Sequence, residues 1–175
     1  HLVAAAHKHQ DHPHKPNVDY AAYLAAGGYA LLKDCIGGKR TREETIQAVD
    51  TAGLRGLGGA GFPTGRKWAL VRQAPGPRLM AVNGDDGEPG TFKDKHYLEL
   101  DPHRFLEGLL VAAWVVEARE VFLYLRDEYP AIRLMLLNEI QRIEQAGLTP
   151  HTKVHLRRGA GAYICGEESA MIESI

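Results

Sequence analysis

Three short stretches hold the residues whose types and spacing could do chemistry. In GLRGLGGAGFPTGRKW, Gly53 to Trp68, the glycines Gly56, Gly58 and Gly61 keep a G-x-G-x-x-G spacing. Glycines allow positive φ, so backbone N–H groups can turn together toward an anion, and a flat ring can lie against the main chain. Arg66 and Lys67 add positive charge, and Phe62 or Trp68 offers a stacking face. In NGDDGEPGTFKDK, Asn83, Asp85, Asp86, Glu88 and Asp94 are gathered among glycines. The D-x-[DN]-x-[DN]-G spacing of a calcium loop is absent, and magnesium would need a bound phosphate to complete its coordination. An amide and carboxylates suit a hydroxyl-rich ligand such as a ribityl or ribose chain. In RRGAGAYICGEES a GAG turn permits another close backbone approach, and Glu167 and Glu168 open a helix.

Each stretch has a plainer reading. The glycines could join two packed layers, the acidic residues could form a solvated turn, and first-turn glutamates are favoured by the helix dipole alone. The glycine stretch is neither of two familiar phosphate motifs. A dinucleotide fingerprint follows a strand and opens a helix, whereas here a helical segment precedes it and Phe62-Pro63-Thr64-Gly65 follows. A P-loop would need glycine where Ala60 stands, and Arg66 intervenes before Lys67. Cys165 has no following histidine to act as its base, so a buried small side chain is the reading for it.

These stretches need elements to position them. Helical signals run from Tyr20 to Ile36, interrupted at Gly27-Gly28, and Thr41-Arg-Glu-Glu44 reads as a capping box for a short helix ending near Gly53. LMAVNG, VFLYLR and VHLRR are short apolar runs of strand type. Between them, His103–Glu117 puts Leu106, Leu109, Leu110 and Ala113 on one helical face. Pro130 suits the start of a helix striped by Ile132, Leu136, Ile140 and Ile143, and GEESAMIESI reads as a third helix. The alternation predicts an α/β fold: a parallel sheet with flanking helices and right-handed crossovers, preceded by a short helical segment. In such sheets ligands bind at the carboxyl ends of the strands. NGDDGEPG, RDEYP and RRGAGAYICGEE should therefore arrive at one edge.

The bulk properties fit that reading. The 175 residues, 45% hydrophobic and 25% charged, suffice for one well-cored domain with an appendage. A net charge of -1 gives no electrostatic reason to expect nucleic acid or an anionic membrane surface. The longest uncharged apolar run, Gly108–Val116, is too short to span a bilayer, so no direct membrane insertion is expected. Cys35 and Cys165 lie far apart, without the C-x-x-C spacing of a zinc or iron–sulfur site, and no metal ligand is assigned. Reduced thiols and the lack of a secretory pattern point to a cytoplasmic protein. His1 to Asn17 carries five of the nine histidines and two prolines, and reads as a solvated linker more than as a metal-binding arm. The chain starts without methionine and stops within a predicted helix, so it is expected to be a piece of a longer one.

Together the three stretches, in this order, resemble the NADH-oxidising flavoprotein subunit of respiratory complex I. Its soluble relatives are the diaphorase subunit of NAD-reducing hydrogenases and the beta subunit of NAD-dependent formate dehydrogenases. The resemblance runs from about Tyr20 to the last residue, and RLMAVNGDDGEPG, DPHRFLEG and YLRDEYP bring the formate dehydrogenase branch nearest. It implies the FMN-binding α/β domain of that family, in which NADH stacks on the flavin and reduces it by hydride transfer. Electrons would then leave singly toward iron–sulfur clusters in partner subunits. Catalytic side chains are not required, because the cofactors do the chemistry and the protein positions them.

By motif match, the FMN contacts would be Gly56, Gly58 and Lys67, then Asn83, Asp85 and Asp86, then Tyr163, Gly166 and Glu167. The NAD contacts would be Gly59, Ala60, Phe62, Glu88 and Glu168. The sequence departs from the pattern at Leu57, where many relatives carry Arg, at Asp86, usually Glu, and at Leu70, an aromatic in some. The family continues past Ile175 with further flavin contacts and a 4Fe–4S cluster. The expected division is a His-rich linker over 1–17, a helical lead-in over 18–52, and an FMN/NADH-binding domain over 53–175 that is cut short at its C-terminal end. A flavin-free assembly module of the same fold, complex I itself, and a metal-dependent phosphoryl-transfer enzyme using the acidic loop are the competing readings.

Overall fold

The computed structural model describes residues 16–51, 78–84, 98–126 and 130–159. The sequence expectations for the His-rich arm, the glycine stretch, the acidic loop after Gly84 and the helix GEESAMIESI lie outside these residues. The described elements are α1 (Tyr20–Ala25), α2 (Ala30–Ile36), α3 (Arg42–Thr51), β1 (Arg78–Gly84), α4 (Pro102–Val116), β2 (Ala118–Arg126), α5 (Pro130–Gln145) and β3 (Lys153–Gly159). The three strands form one parallel sheet in the order β1-β2-β3. This is the expected α/β alternation, with helices flanking a parallel sheet and a helical segment ahead of it.

Local chemistry sets the helix ends. The Asp19 carboxylate accepts from Ala22 N at 2.8 Å and starts α1. At α3 the capping box closes as its sequence requires: Thr41 Oγ1 accepts from Glu44 N at 3.1 Å, and Glu44 Oε2 accepts from Thr41 N at 3.4 Å. Asp101 accepts from Arg104 N at 3.2 Å, and Pro102 follows in the first turn of α4, where its missing N–H costs nothing. The turn after α5 is closed by Gly147, whose φ of 76° lets Leu148 N reach back to Ile143 O at 3.1 Å.

The core lies between the sheet and one layer of helices. Val121, Leu123 and Leu125 alternate to one face of β2. Val121 joins Leu106, Leu109, Leu110 and Ala113 of α4, while Leu123 and Leu125 join Ile132, Met135 and Leu136 of α5. Both expected stripes are therefore buried against the same face. Phe122 and Tyr124 point to the other face, packed with Ala81, and are also buried. Parallel sheets are apolar on both faces for this reason, and the strands read as continuous apolar runs.

Candidate functional site

The parallel ladder sets the geometry of the carboxyl edge. Asn83 is in register with Tyr124 of β2, and Tyr124 with Arg157 of β3. One step further, Gly84 pairs with Leu125 and Leu125 with Arg158, and the ladder closes with Arg126 opposite Gly159. The chain therefore leaves all three strands at one edge, so NGDDGEPG, RDEYP and RRGAGAYICGEE depart from neighbouring points. Asn83 is the one candidate site residue within the described set, on the last-but-one position of β1. Gly56, Gly58, Gly59, Ala60, Phe62, Lys67, Asp85, Asp86, Glu88, Tyr163, Gly166, Glu167 and Glu168 lie outside it.

The scaffold that holds this edge contains a buried polar network that the periodicity of the sequence does not reveal. Its first part docks the lead-in helices on α4. Tyr29 precedes α2 in the left-handed region, with φ 65°, and its side chain makes no capping bond. The cap comes instead from Glu107 of α4: Oε1 accepts from Tyr29 N and Oε2 from Leu32 N, each at 3.1 Å. The Tyr23 hydroxyl donates to the same carboxylate. A helix start left without such partners would carry orphan donors. Gly28 makes this approach possible, because a Cβ there would stand 2.1 Å from a Tyr23 ring carbon and 2.5 Å from the Tyr23 carbonyl oxygen.

The second part runs through the core. The Tyr29 hydroxyl lies 2.7 Å from His103 Nδ1, and His103 Nε2 lies 2.7 Å from Glu139 Oε2. A carboxylate offers only acceptors, so Nε2 is the donor in that contact, while Nδ1 faces the tyrosine hydroxyl. Arg142 Nε donates to Glu139 at 3.2 Å and opens the network to solvent. Tyr20 and Tyr23 complete an aromatic cluster about His103, with ring centroids 5.3 and 5.9 Å away. Burial, then hydrogen bonding to Glu107, pushes the Tyr23 hydroxyl well above the ordinary tyrosine range. Burial, reinforced by neighbouring Tyr23, does the same to Tyr29. Burial also raises the Cys35 thiol and keeps it in its unreactive form. The available sequence signal is position: His103, Glu107 and Glu139 each interrupt a helical face with a polar group.

Known proteins agree with this architecture. Residues 49–175 match the Complex1_51K family, described as the Nuo51 FMN-binding domain. An NADH-quinone oxidoreductase subunit of Aquifex aeolicus is 44% identical over 161 residues, covering 87% of this chain and 37% of its own. Its counterpart in Rhizobium meliloti, also an NADH-quinone oxidoreductase subunit, is 43% identical over 171 residues, covering 89% of this chain and 39% of its own. A crystal structure of NAD+-reducing [NiFe]-hydrogenase in the H2-reduced state superimposes with a TM-score of 0.69 at 43% identity, over 77% of this chain and 24% of that one. The chain thus spans well under half the length of these curated relatives. The match over residues 49–175, the identities and the parallel sheet together place the chain in the Complex1_51K family, that of the Nuo51 FMN-binding domain.

Proposed function

We propose that the complete protein is an NAD-dependent flavoprotein oxidoreductase that exchanges a hydride between NAD(H) and FMN at the carboxyl edge of this sheet. The observation that supports it most is the register ending at Gly84, Arg126 and Gly159, from which the motif-bearing segments depart together. Bound FMN supplies the hydride chemistry and the change from two-electron to single-electron transfer.

The chain's own residues bind and orient. Gly56 and Gly58 give close main-chain approach, and Lys67 neutralises phosphate charge. Asn83, Asp85 and Asp86 hold ligand hydroxyls, while Tyr163, Gly166 and Glu167 contribute from the segment after β3. Gly59, Ala60, Phe62, Glu88 and Glu168 line the NAD cavity.

The finer reading is the diaphorase module of a formate dehydrogenase or related complex. Single electrons pass to iron–sulfur clusters, one of them a 4Fe–4S centre held by a later part of the longer chain and others held by partner subunits. The division into linker, lead-in and FMN/NADH domain belongs to the same reading, as does a cytoplasmic location. Among the described residues no helix is long and apolar enough to cross a membrane.

Coenzyme choice tests the site. A carboxylate at Glu168 accepts hydrogen bonds from an adenosine ribose and repels a 2′-phosphate. Glu168→Gln in the complete protein, assayed with an artificial acceptor, should lower the NADH/NADPH ratio of kcat/KM by about tenfold, equivalent to about 1.4 kcal/mol. An unchanged ratio would remove Glu168 from the coenzyme site.

A further inference from the structure

The opposite, amino-terminal edge of the sheet carries a cleft of about 780 Å³. Among the described residues its polar lining comes from four elements and the turn before β3: Arg42 of α3, Arg78 of β1, Glu117 at the end of α4, Arg119 of β2, and His151 with Thr152, the Trp114 ring forming an apolar wall. Among the described lining residues, three guanidinium groups face one carboxylate. Glu117 is already engaged, 3.2 Å from Arg78 and 3.9 Å from Arg42. Arg42 also donates to Trp114 O at 2.9 Å and lies 4.6 Å from the centre of the Trp114 ring, so it is fixed in place. Arg119 and His151 are exposed, and both line the cleft.

We propose that this cleft is a binding site for a small ligand carrying at least two phosphate or carboxylate groups. The volume is that of a small-molecule pocket. Guanidinium forks recognise both phosphate and carboxylate through paired N–H groups, and a concave wall with an excess of one charge sign concentrates such ligands. The described lining is too polar for an apolar docking groove, with Ala113, Trp114 and Ala118 as its apolar members. The site is separate from the edge proposed for FMN. β2 runs from Ala118 to Arg126, about 26 Å at the usual strand rise.

The test uses the complete protein with its cofactors in place. Pyrophosphate and citrate are titrated separately by calorimetry at fixed ionic strength, with sulfate as the control for simple ion screening. At least one probe should bind saturably with a submillimolar Kd, and Arg119→Gln should weaken it about tenfold or more. Arg119→Lys, which keeps the charge and loses the fork, should fall between the two. Binding of pyrophosphate alone assigns phosphate chemistry, binding of citrate alone assigns carboxylate chemistry, and binding of both assigns a general polyanion site. The proposal is overturned if neither probe saturates by about 10 mM, if sulfate binds equally well, or if Arg119→Gln binds as the wild type does.

Discussion

Replacing Glu107 with leucine should release the lead-in helices from the α/β core while leaving the core folded. The carboxylate accepts from Tyr29 N and Leu32 N at 3.1 Å each, and from the Tyr23 hydroxyl. Leucine keeps the packing volume and removes every acceptor. A lost helix cap costs about 1 kcal/mol, and a hydrogen bond to a charged group contributes about 1.5–3 kcal/mol. Loosened residues recover part of that by reaching water, so about 3 kcal/mol is the expected net loss for local opening. This corresponds to roughly a hundredfold faster amide exchange, at about 1.4 kcal/mol per factor of ten. The assay is hydrogen exchange by mass spectrometry on the complete protein, comparing peptides from Tyr20–Ile36 with peptides from α5. Exchange should accelerate in the first set and remain unchanged in the second. Glu107→Gln retains one acceptor but turns an NH2 toward one of the two backbone donors, so it should fall between wild type and leucine. If Glu107→Leu changed exchange of Tyr20–Ile36 less than about threefold, the carboxylate would not be the cap that holds α2.

Two further outcomes follow from the same network. Gly28→Ala forces a Cβ against the Tyr23 ring and its carbonyl oxygen, the latter at 2.5 Å, and backbone cannot yield as a flexible side chain would. A cost of about 2–3 kcal/mol should appear as a lower urea midpoint, and an unchanged midpoint would mean that the α1–α2 turn adapts freely. Tyr29 has its folded-state pKa raised by burial, so its contribution to stability is complete below the unfolded value near 10 and is lost as pH rises above it. Stability should fall by about 1.4 kcal/mol per pH unit above pH 10 from this group, and Tyr29→Phe should flatten that slope, as read from urea midpoints across the alkaline range.

Much of the fold was legible because the core obeys simple periods. Leu106, Leu109, Leu110 and Ala113 on α4, and Ile132, Leu136, Ile140 and Ile143 on α5, are all buried at the expected spacing. The Thr41–Glu44 box and Pro130 marked helix starts through local chemistry. Strand starts are less legible: β2 begins at Ala118, three residues before the apolar run at Val121. Arg119 and Glu120 are exposed or half-buried at the amino edge, so apolarity fades there while the backbone ladder continues. What stayed hidden depends on distant partners. The cap of α2 comes from Glu107, over seventy residues away, and His103 joins Tyr29 to Glu139 across three elements. No local pattern encodes such pairs; only a polar residue on an apolar stripe hints at them. For the candidate site, the convergence of the strand ends followed from the βαβ pattern and is seen in the register, with Asn83 next to last on β1. The individual contacts rest on motif resemblance, because loop side chains that meet a cofactor follow no hydrophobic period.

The proposed function requires that NADH exchange a hydride with a flavin held at the carboxyl edge. Its most direct test is an anaerobic titration of the complete purified protein with NADH while the visible flavin absorbance is followed. Stoichiometric FMN should be present, and NADH should bleach it, whereas Gly58→Val should purify folded but without flavin, because a side chain there blocks close main-chain approach. A wild-type protein that carries no flavin after reconstitution with FMN, or whose bound flavin NADH leaves unchanged, would rule out hydride exchange at this edge.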